Sequence, residues 1–139
     1  MIIQPVDISH IHQTWPLVEK FIVESIDKGL NGATPDYTPE QILVYLASGQ
    51  WLLIVAVDEN NSIHGAMTVS FINYPLHRVA FVTATGGKTI INTDTFDQLK
   101  RIAKHHGATK IQAMARPAMV KLLQTCGMQP GNTLMETAL

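Results

Sequence analysis

The sequence predicts an α/β fold in which a mixed, mostly antiparallel central sheet carries helices on both faces. Three observations predict it. Segments with apolar residues at helical spacing alternate with β-rich runs. The run Trp51–Val57 is apolar at every position, as in a strand covered on both faces. The β-rich runs that follow it are joined by turns far too short for a crossover, so they pair as antiparallel neighbours.

Taken in order, Ile2, Ile3 and Val6 around Pro5 read as a short first strand with the proline near its end. Asp7 or Ser9 offers an N-cap for a helix over about 10–28. In it Ile11, Trp15, Val18, Ile22 and Ile26 share one face, with Glu19, Lys20, Glu24 and Asp27 on the other, and Gly29 ends it. Residues 31–37 are loop-like. Thr38-Pro39-Glu40-Gln41 is a helix start with threonine as N-cap, proline first and glutamine third, and this second helix stops at Gly49.

Asp58-Glu59-Asn60-Asn61-Ser62 turns the strand Trp51–Val57 into a second run over 63–72, interrupted by Gly65. Asn73-Tyr74-Pro75-Leu76-His77 turns that into a third over 78–85. Beyond Gly86-Gly87, the residues Asn92, Thr93 and Asp94 are candidate caps for a helix carrying Phe96, Leu99, Ile102 and Ala103, closed by Gly107. A strand over 110–115, a helix Pro117–Thr125 and a last strand over 133–138 complete the order β-α-α-β-β-β-α-β-α-β.

At 139 residues, 46% apolar and 15% charged, the chain is expected to form one domain over 1–139 with a genuine core. The low charge also predicts a covered face, as in a homodimer. Ten basic against eleven acidic residues give a net charge of −1, and no basic run exceeds Lys100-Arg101, which argues against nucleic-acid binding. One cysteine, Cys126, makes no internal disulfide. No segment has the length of a membrane span and the first residues lack a basic, then apolar, leader pattern, so no membrane partner is expected and the location is cytoplasmic. His10-x-His12 and His105-His106 lack acidic or cysteine partners at ligand spacing, so no metal site is assigned.

The residues Arg116-Pro117, Leu122-Leu123 and Gly127-Met128 are spaced like a late strand, short helix and glycine exit. The stretch resembles the signature of GNAT-type N-acetyltransferases, usually Asn-Pro, then Leu-Tyr, then Gly-Phe, and the element order resembles that fold over essentially the whole chain. Within the superfamily, residues 51–58, Tyr74-Pro75 and Thr85-Gly86-Gly87 make the chain most similar to small acetyltransferase-like proteins of tailed bacteriophages. That narrower resemblance implies the host cytoplasm or a virion as location.

The resemblance implies acetyl-CoA as cofactor and direct attack of an amine on its thioester. Backbone at Val82, Thr83 and Ala84 would pair with the pantetheine amides, and Gly86, Gly87 and Lys88 would lie near the phosphates. The sequence departs from the family in two places. Counting back from Gly107 puts the phosphate-loop glycines at Asn92 and Ile90, and neither is glycine; the tyrosine that often serves as acid is Leu123. Gly86-Gly87 reads either as a displaced phosphate nest or as a bend at the strand end.

Acyl transfer needs a base for the amine and an acid for the thiolate, each within hydrogen-bond reach. His64, Tyr74 and His77 are candidate bases, and Cys126, three residues past Leu123, a candidate proton donor. Each has a plainer reading: exposed histidines, a turn tyrosine, a small core cysteine. Asp36 and Tyr37 fall where the family shapes its acceptor site, and Arg116 either binds an acid or caps a strand. Two functions stay open. One is an acyl-CoA-dependent N-acyltransferase with a degenerate cofactor loop; the other is an inactive GNAT-fold phage protein serving as virion component or host-protein binder.

Overall fold

In the computed structural model, which describes residues 1–29, 36–88 and 91–139, five strands form one sheet. They are β1 (Ile2–Pro5), β2 (Trp51–Val57), β3 (Ile63–Asn73), β4 (Arg78–Gly87) and β5 (Lys110–Ala113), adjacent in that order. The first four are antiparallel, and β5 runs parallel to β4. The helices are α1 (Ile11–Gly29), entered through a 3-10 turn at Ile8–His10, then α2 (Pro39–Ala47), α3 (Thr93–His105) and α4 (Pro117–Thr125).

The expected mixed sheet with helices on both faces is present. Strand alternation sorts its side chains. Leu53, Val55 and Val57 of β2, with Ala66 and Ala84, pack under α1 and α2 against Val18, Ile22, Ile42 and Leu46. Ile54 and Ala56, with Met67, Val69 and Ala80, face α3 and meet Phe96, Leu99 and Ala103. The apolar run Trp51–Val57 thus serves two cores at once, one for each face.

Local signals set the helix ends. Thr38 Oγ1 accepts the Gln41 amide at 3.2 Å and Gln41 Oε1 accepts the Thr38 amide at 3.0 Å, a closed capping box. Asn92 and Thr95 form the same box on α3. Helices α2, α3 and α4 all end in a glycine with positive φ, Gly49, Gly107 and Gly127, whose amide and the next one return to carbonyls of the last turn.

The strand expected over 133–138 is absent: residues 126–139 form no strand, and Leu134 and Met135 are largely exposed. A strand there would send these neighbours to opposite faces, so burying both would need a helix on each side, as β2 has. The two sheet edges, β1 and β5, each offer a ladder of only four residues. The strand expected over 110–115 likewise ends at Ala113. The loop expected at 31–35, and the Ile90 position counted for a phosphate-loop glycine, lie outside the described residues.

Candidate functional site

The opening that could admit a ligand lies where β4 and β5 part. Their last paired residues are Val82 and Ala113; β4 continues to Gly87 alone on that side, while the chain beyond β5 turns into α4 at Pro117. The parting begins at a bulge. Thr68 pairs with Ala84 and Val69 with Val82, leaving Thr83 as the extra residue of β4. Its hydroxyl sits 2.7 Å from Thr68 Oγ1 and donates to the Thr68 carbonyl at 3.0 Å, which pins the bulge. A bulge re-aims backbone polar groups, so this strand edge can meet something other than a neighbouring strand.

Helix α1 lies over the end of this edge. The Thr85 amide donates to Ser25 Oγ at 2.9 Å, so it is spent on α1 rather than on a strand. Thr85 Oγ1 is buried and has no hydrogen-bond partner among the described residues. A Cβ on Gly86 would stand 2.1 Å from the Phe21 carbonyl oxygen, and one on Gly87 would stand 2.4 Å from the His64 carbonyl oxygen. Both glycines are therefore needed for close backbone approach, Gly86 to α1 and Gly87 to β3. Gly87 also has φ +95°.

A pantetheine arm and a pyrophosphate make different demands here. A bulged strand edge with an unpaired buried hydroxyl suits an arm bearing amides. The start of α3 suits an anion poorly, because Asn92 Oδ1 already takes the Thr95 amide and Asp94 puts a carboxylate in the first turn. Lys88 follows β4, its amide donating to the His64 carbonyl at 3.1 Å. It is the nearest cation in sequence to that end of the strand.

The three candidate catalytic residues are not brought together. His64 sits beside the far end of β4, since Gly65 pairs with Gly87. Its Nε2 lies 2.6 Å from Asp58 Oδ2 across the β2–β3 turn, and both side chains are partly exposed. The hydrogen bond with His64, supported by amides from Ser62 and Asn60, holds the Asp58 carboxyl below its ordinary range. Tyr74 is exposed in the β3–β4 turn at the opposite end of the sheet. Ten residues of strand at ~3.3 Å each separate them by roughly 33 Å, so no single substrate meets both.

Cys126 is buried in the core cluster that holds Phe96, Leu99 and Ala103. His77 Nδ1 lies 3.3 Å from Thr109 Oγ1, again at the Tyr74 end. Tyr37 packs edge-on against Trp51 with centroids 4.9 Å apart, and partial burial raises its phenol above the ordinary value. Leu123 is half-buried in α4, and Arg116 stands at the N-cap of that helix without a side-chain capping bond. Among the described residues no group of three or more His, Cys, Asp or Glu is arranged to hold a metal, and no helix is long and apolar enough to cross a membrane.

Sequence reading missed Ser25 and Phe21 as neighbours of this edge. Nothing local announces a contact across 60 residues. The adjacent glycines of Thr85-Gly86-Gly87 were the available sign, and they report close approach by α1 as readily as by a ligand.

No family model matches the sequence, and no curated protein does. Solved structures do. The chain is similar to a tetramutant of the BH1408 protein from Bacillus halodurans, with TM-score 0.73, 15% identity and 100% of each chain covered. A predicted acetyltransferase with acetyl-CoA from Clostridium acetobutylicum gives TM-score 0.67 and 21% identity over 99% of this chain and 95% of that one. A GCN5-related N-acetyltransferase from Ralstonia eutropha gives 0.68 and 14% over 99% and 97%. At such identities the likeness establishes the fold, which is that of the GNAT acetyltransferases.

Proposed function

We propose that the chain binds an acyl-CoA along the free edge of β4 and transfers the acyl group to an amine slowly, by positioning rather than by a dedicated acid. The observation that carries this is the bulge at Thr83 where β4 leaves β5, with the unpaired Thr85 hydroxyl beside it. Val82, Thr83 and Ala84 would meet the pantetheine arm through backbone, and Lys88 the phosphates. Gly86 and Gly87 shape the edge by letting α1 and β3 approach it. Orientation alone can supply a large part of such a rate, whereas a missing acid–base pair forfeits about 10²–10⁴-fold.

The fold of an acetyltransferase crystallised with acetyl-CoA supports this cofactor class. The test is calorimetric titration of the protein with acetyl-CoA. Saturable binding is expected, and no heat up to millimolar cofactor overturns the proposal. Gly86→Glu is unsuitable as a binding knockout, because its side chain would strike the Phe21 carbonyl whether or not a ligand binds there.

A second reading has its own observation. His64, Tyr74 and Cys126 lie far apart, and the start of α3 carries Asp94 and a closed cap. These features fit a GNAT-fold protein that does no chemistry, such as a bacteriophage virion component or a binder of a host protein. Absence of acetyl-CoA binding favours it. Both readings carry the expectation of one domain and of a homodimer, the latter checked by light scattering; the location is cytoplasmic for the first reading and host cytoplasm or virion for the second.

A further inference from the structure

We propose that Ser25 is a competitive gate on the β4 edge: its hydroxyl occupies the Thr85 amide that an amide-bearing ligand arm must take, and Thr85 Oγ1 is the second point at which that arm is recognised. The inference rests on the acyl-CoA reading above and adds residues to it. Ser25 Oγ accepts from Thr85 N at 2.9 Å in partly buried surroundings. One turn earlier on the same face of α1, the Phe21 carbonyl presses on Gly86.

These two points behave differently. The Gly86 contact is backbone against backbone, so α1 cannot approach closer and stays seated on β4. The Ser25 contact is a single side-chain hydroxyl. Rotation about χ1 releases it, and in a helix that hydroxyl has an alternative acceptor in the carbonyl four residues back, which here is Phe21. The gate can therefore open without moving the helix.

What opens it must replace what it removes, because a part-buried N–H left unpaired is costly. A carbonyl oxygen reaching the Thr85 amide restores the bond. The adjacent Thr85 Oγ1, buried and unpartnered, can donate or accept, so it serves either a carbonyl or an N–H. A secondary amide's carbonyl oxygen, with two lone pairs, can accept from both the Thr85 amide and the Thr85 hydroxyl, and a pantetheine arm carries two such amides. An apolar chain would leave both of these positions unserved.

The test is calorimetric titration with coenzyme A and acetyl-CoA of the wild type, Ser25→Ala and Thr85→Val, with folding checked by thermal melts. Ser25→Ala is expected to bind about two- to tenfold tighter, the equivalent of one hydrogen bond no longer displaced. Thr85→Val, nearly the same shape, is expected to bind about two- to tenfold weaker. Binding by wild type with Ser25→Ala equal or weaker overturns the gate and leaves the acyl-CoA reading standing. No binding by any of the three overturns both. Should Ser25→Ala fail to fold, Ser25→Cys decides, because a thiol is a weaker acceptor for the Thr85 amide: it is expected to bind coenzyme A tighter than the wild type, and equal or weaker binding overturns the gate.

Discussion

The block formed by β2, β3 and β4 with α1 and α2 differs sharply from the stretch of β5, α4 and the residues after it. In the first, side chains such as Ile22, Ile42, Leu53 and Met67 are fully buried. In the second, over residues 110–139, only Cys126 is buried, and α4 contributes no buried residue. The first block is specified by packing on two faces. The second holds its shape through local backbone signals: Pro117 at the start of α4, and Gly127 returning its amide to Gln124. A motif resemblance in the second region therefore records chain geometry, which survives the change to Leu123, more than chemistry.

The largest expected effect tests that contrast directly. Leu53→Ala removes a side chain packed beneath α1 and α2, and should cost about 2–5 kcal/mol. Leu122→Ala, on α4 with 37% of its surface exposed, should stay within about 0.5 kcal/mol. Urea denaturation midpoints measure both. A loss at Leu122 comparable to that at Leu53 would break the comparison.

A smaller effect sharpens it. Helices α2 and α3 begin in closed capping boxes, while α4 begins at Arg116 with no capping bond. Asparagine at this extended position could accept an amide of the first turn, so Arg116→Asn should stabilise α4 by about 0.5–1 kcal/mol. The gain should appear as slower amide exchange within α4. Unchanged exchange there would mean that α4 is limited by docking rather than by its own start.

The sequence made these differences only partly readable. Thr38, Pro39 and Gln41 announced α2, and Asn92 and Gly107 bounded α3, because caps act over three or four residues and need no tertiary partner. The apolar run Trp51–Val57 announced a central strand for the same reason of locality. The bulge at Thr83 had no such sign, since it arises from the register between β3 and β4 rather than from a glycine. Ser25 against Thr85 was beyond reach of any local pattern: it depends on where α1 comes to rest. His64, Tyr74 and Cys126 were chosen by residue type; the run over 63–72 and the turn after it already set His64 and Tyr74 at opposite ends of one strand, while the burial of Cys126 depends on where α4 packs.

The smallest expected effect concerns acid, and it separates the two regions by charge. The block around β2–β4 holds the Asp58–His64 contact, whereas among the described residues no ion pair involves 110–139. Because the His64 hydrogen bond and the Ser62 and Asn60 amides favour the ionised carboxyl, Asp58 titrates below its ordinary value of 3.8 in the folded chain. A carboxyl depressed on folding adds stability that is fully present above the unfolded value and is lost as pH falls through the folded one. Asp58→Asn keeps an oxygen for the turn amides and removes the charge. Wild type should therefore be slightly more stable than Asp58→Asn at pH 6, with the gap closing as pH drops below about 4. Thermal melts at pH 6, 4 and 3 measure it; a gap as large at pH 3 as at pH 6 would trace it to turn geometry rather than to the carboxylate.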